Sequence, residues 1–306
     1  MKKKLSLLLI MSTLLIALAA CGQKTASDTP GSGSTTSEGA ASDGKSYTIA
    51  ISQIVEHPSL DATREGFIAA LKDAGIVEGT NLKIDYNNAQ GDNTNNLSIA
   101  QKIAGGKNDL VFAIATPSAL AVAQQVKDVP VVFAAVTDPL SAKIVSNLDQ
   151  PGGNITGASD TNPEATTKLA DFIASNFPNI KNIGLVINEG EPNAVVMAKK
   201  AEEEFKKHNI GLVKAAVTNT SEVKQAAESL IGRVDAFYIT LDNMVVSGVD
   251  GIIQVANDKK LPFFSSDRDT VENGAFATVG FKYFDHGYQA GQMAVDILKN
   301  GKKPGE

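Results

Sequence analysis

The sequence predicts an α/β protein built as two doubly wound parallel-sheet lobes joined at a hinge, and three observations support this. From residue 46 onward, short apolar runs alternate with stretches of helical periodicity, the signature of βα units around a parallel sheet. The alternation runs to about residue 157 and then starts again. The 306 residues, 43% hydrophobic and 20% charged, are long and apolar enough for two buried cores.

In the first half, residues 47–53, 81–86, 109–115 and 130–136 read as strands. Ser59 is positioned to cap a helix that buries Phe67, Leu71 and Ala74 and stops at Gly75. Leu97, Ala100 and Ile103, then Leu120, Ala123 and Val126, form buried stripes on two further helices. After the turn signal Pro151-Gly152-Gly153, residues 154–159 read as a crossing into the second unit. There, residues 182–188, 211–217, 234–241 and 261–267 read as strands, separated by helices containing Ala194, Ala198, Ala201 and Phe205, then Val223, Ala226 and Leu230. Residues 275–281 read as one more strand. A last helix with Tyr288, Gly291, Val295 and Leu298 on one face returns to the first lobe. The expected organisation is therefore residues 46–157 plus 276–306 for lobe 1 and 158–275 for lobe 2.

The N-terminus reads as a lipoprotein signal peptide over residues 1–20. A positive start, Met1 to Lys4, precedes an apolar run too short for a comfortable membrane span, and Leu18-Ala19-Ala20 precedes Cys21. This resembles a bacterial lipobox, which makes Cys21 the lipidated residue and explains a single cysteine with no disulfide partner. Residues 21–45 hold no large apolar side chain and read as a disordered tether. Residues 39–46 spell a P-loop pattern letter for letter, but disorder precedes them and a strand follows, the reverse of a working phosphate loop. The net charge of −6 and the absence of a basic patch exclude nucleic acid as a partner.

No metal-ligand spacing joins His57, His208 and His286, and no nucleophile, zinc or dinucleotide motif is present, so neither a metal, a cofactor nor an enzyme activity is expected. Ligands of doubly wound sheets bind outside the carboxyl ends of the strands. In this chain those ends are polar: Ser52 and Gln53, Thr116 and Ser118, Thr137 and Asp138, Asn188, Asp242 and Asn243, Ser266 and Asp267. His57 sits on the first strand-to-helix turn. Phe281, with Phe264 and Ile54, can wall an apolar pocket or serve as core. Thr116, Ser118, Thr137, Asp138 and Asp242 can equally be helix or turn caps.

Several segments resemble the type I periplasmic-binding-protein superfamily, and within it the ABC-importer binding proteins of the tryptophan or aromatic amino-acid group. These are Ile51-Ser-Gln-Ile-Val-Glu-His-Pro58, Ala115-Thr-Pro-Ser118, Val136-Thr-Asp-Pro139, Pro151-Gly-Gly-Asn-Ile-Thr-Gly157, Thr240-Leu-Asp-Asn243 and Gly287-Tyr-Gln-Ala-Gly291. Chains of this type are expected to continue past the last helix with a further strand, whereas this one stops at Gly305-Glu306. The resemblance implies a lipid-anchored, extracytoplasmic protein that binds a small amino acid without turnover and delivers it to a permease and its ATPase. A sugar or nucleoside is the competing ligand class. The residue inventory favours a ligand with one carboxylate, one amine and an apolar body, since only Arg268 among the three arginines lies near a strand end. On this reading helix-start N–H groups at Thr116, Ser118, Thr137 and Asp138 hold the carboxylate, and Asp242 holds the ammonium, with Asp267 and Asp160 as weaker candidates.

Overall fold

Strand β1 (Tyr47–Gln53) is buried at six of its seven positions, as a strand must be when both faces of a parallel sheet are covered. It pairs in parallel with β2 (Leu82–Asn88) on one side and β3 (Leu110–Ile114) on the other. Strands β4 (Val131–Val136) and β5 (Ile155–Ser159) extend the sheet to the order β2-β1-β3-β4-β5. Helices α1 (Pro58–Asp73), α2 (Asn93–Ala104) and α3 (Thr116–Gln125) cross between these strands. The structure is a computed structural model and describes residues 44–305. The signal peptide, Cys21 and all but the end of the tether lie outside the described residues.

The second sheet repeats the pattern with β6 (Asn182–Ile187), β7 (Gly211–Ala216), β8 (Ala236–Ile239) and β9 (Phe263–Ser265), all parallel, in the order β7-β6-β8-β9. Around it lie α4 (Ala165–Asn176), α5 (Pro192–Lys207), α6 (Val223–Ser229), α7 (Asn243–Ser247), α8 (Val249–Lys259) and α9 (Asp269–Glu272). The chain then enters α10 (Tyr283–Asn300), which packs along α1 and against the first sheet. Strand order reverses beside β1 in the first sheet and beside β6 in the second, so the open crevices lie at the carboxyl ends of β1 and β3, and of β6 and β8.

Four sequence expectations are corrected. Residues 155–159 are an edge strand of the first sheet, because their backbone pairs with β4 over Val131–Phe133 and again at Val136. Helix α4 was not anticipated, although Thr166, Leu169, Ala170 and Ile173 give it a buried face. Residues 275–281 touch the second sheet through one bridge, Phe264 to Ala277, and are otherwise irregular around Gly274 and Gly280. The first helix starts at Pro58 with His57 as its N-cap, and the Ser59 hydroxyl points elsewhere.

Helices α1 and α10 meet backbone to backbone. A Cβ on Gly66 would lie 2.0 Å from the Phe284 carbonyl oxygen, and one on Gly287 would lie 1.9 Å from that of Thr63. The neighbouring atoms are main chain and cannot swing aside, so α10 would have to move bodily. Gly287→Ala should therefore destabilise the fold by about 2 kcal/mol or more, lowering the Tm by roughly 4–8 °C. Gly105→Ala, where the nearest atoms are 3.7 Å away, should stay within about 0.5 kcal/mol. Thermal denaturation of both variants beside the parent checks this.

Candidate ligand-binding site

Pro58 opens α1 and confines the preceding residue to extended backbone, and His57 accordingly has φ −160° and ψ 161°. Its ring is 6% exposed and caps nothing, and neither ring nitrogen has a partner. Burial lowers its pKa, opposed chiefly by the negative charge of Asp267. His57 is therefore a neutral imidazole with unspent hydrogen-bonding capacity.

Strand β4 ends irregularly. Its register with β5 slips between Phe133 and Val136, and Ala135 takes a φ of 55°. The Ala135 N–H donates to His286 Nε2 of α10 at 3.0 Å, which fixes that ring as a neutral acceptor. Burial brings the His286 pKa down to about 4. The same bend leaves the Thr137 N–H donating to Thr116 Oγ1 at 3.2 Å.

Just past β5, the Asp160 N–H donates to the Val136 carbonyl at 3.2 Å. The Asp160 carboxyl is 6% exposed, and its Oδ1 has no partner. Oδ2 accepts the Tyr283 hydroxyl at 3.4 Å. Burial raises its pKa to about 7, although hydrogen bonding from Thr137 favours the ionised form. Asp267 is in the opposite condition. Its Oδ1 accepts the Thr270 N–H at 2.8 Å and the Thr270 hydroxyl at 2.9 Å, and its Oδ2 accepts the Ser59 hydroxyl at 2.6 Å. The Ser59 bond joins α1 of the first sheet to the β9–α9 turn of the second.

The short helix α7 is capped by two acids. Asp242 accepts the Val245 N–H at 3.1 Å and the Asn188 N–H at 2.6 Å. Glu191 accepts the Met244 N–H at 3.0 Å and the Asn243 and Asn193 side-chain amides at 2.6 and 2.9 Å. Burial, and then the charge of Glu191, push the Asp242 carboxyl well above the usual range.

Two adjoining cavities lie between these elements and share Asp160, Leu241 and Tyr283 as a common wall. The smaller sits between the sheets and is polar, with His57, Thr137, Asn193, Asn243 and Asp267 on its surface. The larger, about 150 Å³, is walled by Leu169, Met197, Val279 and Phe281, with Thr166, Ser266 and Arg268 among its polar members. The arrangement suits a molecule with a charged head and an apolar body. Among the described residues, no group of three or more His, Cys, Asp or Glu is placed to hold a metal ion.

Of the residues expected from the sequence, His57, Thr137, Asn243 and Asp267 meet at the smaller cavity, Phe281 and Ser266 line the larger, and Asp160, the weaker candidate, lines both. The other seven do not line either. Ser52 is buried within β1, and Gln53 binds the Val55 carbonyl, Asp61 and Arg64. Thr116 accepts from Thr137, Ser118 donates to Asn96, and Asp138 holds Ser141. Asn188 accepts the Gly190 N–H, and Asp242 is fully used as a cap. Tyr283, Leu241, Met197 and Leu169 were not anticipated. Helix α4, which brings Leu169, was itself missed, while Tyr283 stands two residues from Phe281 and was within reach.

Residues 48–306 match the family model for ABC transporter substrate-binding proteins. The chain is 41% identical over 262 residues to a tyrosine-binding protein of Clostridioides difficile, covering 86% of this chain and 75% of that one. It is similar to the structure of an ABC domain from Streptococcus pneumonia in complex with L-Trp, with 33% identity, 85% and 87% of the two chains covered and a TM-score of 0.79. It is also similar to the ligand-free, open structure of a substrate-binding protein with adhesive properties from Clostridium difficile, at 40% identity over the same shares of the chains, with a TM-score of 0.60. The better superposition goes with the complex although the sequence is nearer to the open form. Taken with the two parallel sheets of the type I periplasmic-binding-protein fold, these findings show that the chain belongs to the ABC transporter substrate-binding protein family.

Proposed function

We propose that the ligand of this substrate-binding protein is an aromatic L-amino acid, held between the lobes without turnover, and that the protein is lipid-anchored through Cys21 on the extracytoplasmic face, where it feeds a permease driven by its ATPase. The observation that carries the ligand assignment is Asp160. It is a buried carboxyl with a free oxygen, located where the polar and apolar cavities join. An ammonium placed there gives that oxygen its missing partner and puts the amino acid's Cα at the junction. The ring then enters the larger cavity against Phe281, Leu169 and Met197. The carboxylate faces His57 and the uncapped first turn of α1, where free N–H groups point outward. The tyrosine-binding relative and the L-Trp complex support the same ligand class.

This assignment moves the ammonium partner from Asp242 to Asp160. Asp160→Asn should weaken binding of tyrosine or tryptophan by roughly a hundredfold, about 3 kcal/mol, because the ammonium would be left unpaired in a closed cleft. Asp242→Ala should act on stability instead, costing about 1–2 kcal/mol through the lost cap, with Kd within about threefold of the parent. Calorimetric titration beside thermal denaturation separates the two. Equal losses of affinity would refute the assignment.

Binding should also depend on pH in a stated direction. With its pKa raised to about 7 in the unbound protein, Asp160 must lose a proton before it can pair with an ammonium. Affinity should therefore rise as pH increases to about 8, and fall toward tenfold per unit as pH drops below about 7. The slope should vanish in Asp160→Asn, which leaves His57 in place and so isolates the carboxyl. Finally, Cys21→Ser should release the protein from the membrane fraction or leave it unprocessed, and lipid labelling equal to the wild type would overturn the anchor.

A further inference from the structure

We infer that Ser266, backed by the buried hydroxyl of Tyr238, reads a hydrogen-bonding group on the ligand's ring and so makes the site prefer phenol and indole rings to phenyl. The inference rests on the aromatic amino-acid reading and concerns the far end of the same site. Tyr238 lies on β8 and is wholly buried, and its hydroxyl shares a 2.6 Å hydrogen bond with Ser266 Oγ. Ser266 and Thr166 line the larger cavity, whereas Tyr238 stands behind them. Ser266 is held in place by its own backbone, whose N–H donates to the Ile239 carbonyl at 2.9 Å.

Of the other polar side chains of that cavity, Asp160 is assigned to the ammonium, and four more have local partners. Thr161 donates to the Thr137 carbonyl, Asn162 accepts the Glu164 N–H at 2.9 Å, and Ser265 accepts the Asp267 N–H at 2.9 Å. Arg268 is paired with Glu272 and Asp269. The Ser266 hydroxyl differs from these because its partner is another hydroxyl, and either of the two can be the donor. When Tyr238 donates, the Ser266 proton is free for a phenol oxygen. When Ser266 donates to Tyr238, its lone pairs are free for a phenol O–H or an indole N–H. One pair of side chains thus accommodates both ring types by reversing a single hydrogen bond.

The size of the preference follows from what a phenyl ring leaves behind. Beside phenylalanine, Ser266 keeps its bond to Tyr238, so no buried group is orphaned and the loss is one neutral hydrogen bond. Discrimination should then be about tenfold, far below that of a site whose polar group depends on the ligand alone. Replacing Tyr238 with Phe creates that second kind of site, since Ser266 would have no partner beside a phenyl ring. Replacing Ser266 with Ala removes the reader altogether.

The test is calorimetric titration of refolded, ligand-free protein with L-tyrosine, L-tryptophan and L-phenylalanine. Phenylalanine should bind the parent about tenfold more weakly than tyrosine. In Ser266→Ala, tyrosine and tryptophan should fall to the level of phenylalanine, whose own Kd stays within about twofold. In Tyr238→Phe the ratio should instead rise above that of the parent. The inference is overturned if both variants leave the ratio unchanged or move it the same way, or if Ser266→Ala weakens all three ligands equally. Tight binding of all three by the parent without discrimination overturns this inference and leaves the aromatic amino-acid reading intact. Binding of none overturns both.

Discussion

Four carboxyl groups, Asp160, Glu191, Asp242 and Asp267, are buried where the two sheets face each other, and among the described residues no lysine or arginine is buried with them. Charge in such a place is costly unless something hydrogen-bonds to it. Three of the four are satisfied by the starts of short helices. Asp242 and Glu191 take the free N–H groups of α7, and Asp267 takes that of Thr270 in α9. These contacts give the crevice a rigid wall and leave Asp160 as the acid with unspent capacity. The shape of the site and its appetite for a cation are thus set by the same distribution of backbone donors.

Few direct bonds join the two sheets among the described residues. Ser59 to Asp267 is one, and it draws on a carboxylate already held by Thr270. A single neutral donor of this kind contributes on the order of 1 kcal/mol, too little to hold two lobes shut unaided. A ligand that bridges the lobes shifts the balance by its differential affinity for the closed state. His57, buried with both nitrogens unpartnered, carries a desolvation cost that a ligand's hydrogen bond would relieve.

Much of the fold was legible in the sequence because parallel strands buried on both faces appear as unbroken apolar runs, as in Leu110–Ile114 and Val131–Val136. Edge elements were less legible. Strand β5, with Ile155 its only buried residue, carried too little apolar signal to read as a strand, and residues 275–281 carried enough to mislead. The site was half legible for a related reason. Polar residues gather at the strand ends, but sequence cannot tell a side chain that faces the cavity, such as Asn243, from its neighbour Asp242, which turns inward to cap a helix. That difference of one residue is decided by the turn into α7.

The seam between α1 and α10 also bears on the order in which the molecule can assemble. Its partners are distant in the chain; the Tyr288 hydroxyl reaches Asp73 across 215 residues at 2.9 Å. The first sheet begins at the start of the described region, yet the helix covering part of it is the last of the described elements to be made. The second sheet is contiguous in sequence and has no such wait. Contacts of so long a span are slow to close, and until α10 arrives the face of α1 that bears Thr63 and Gly66 stands open to solvent. A nascent chain therefore cannot cover that face until the residues of α10 have left the ribosome.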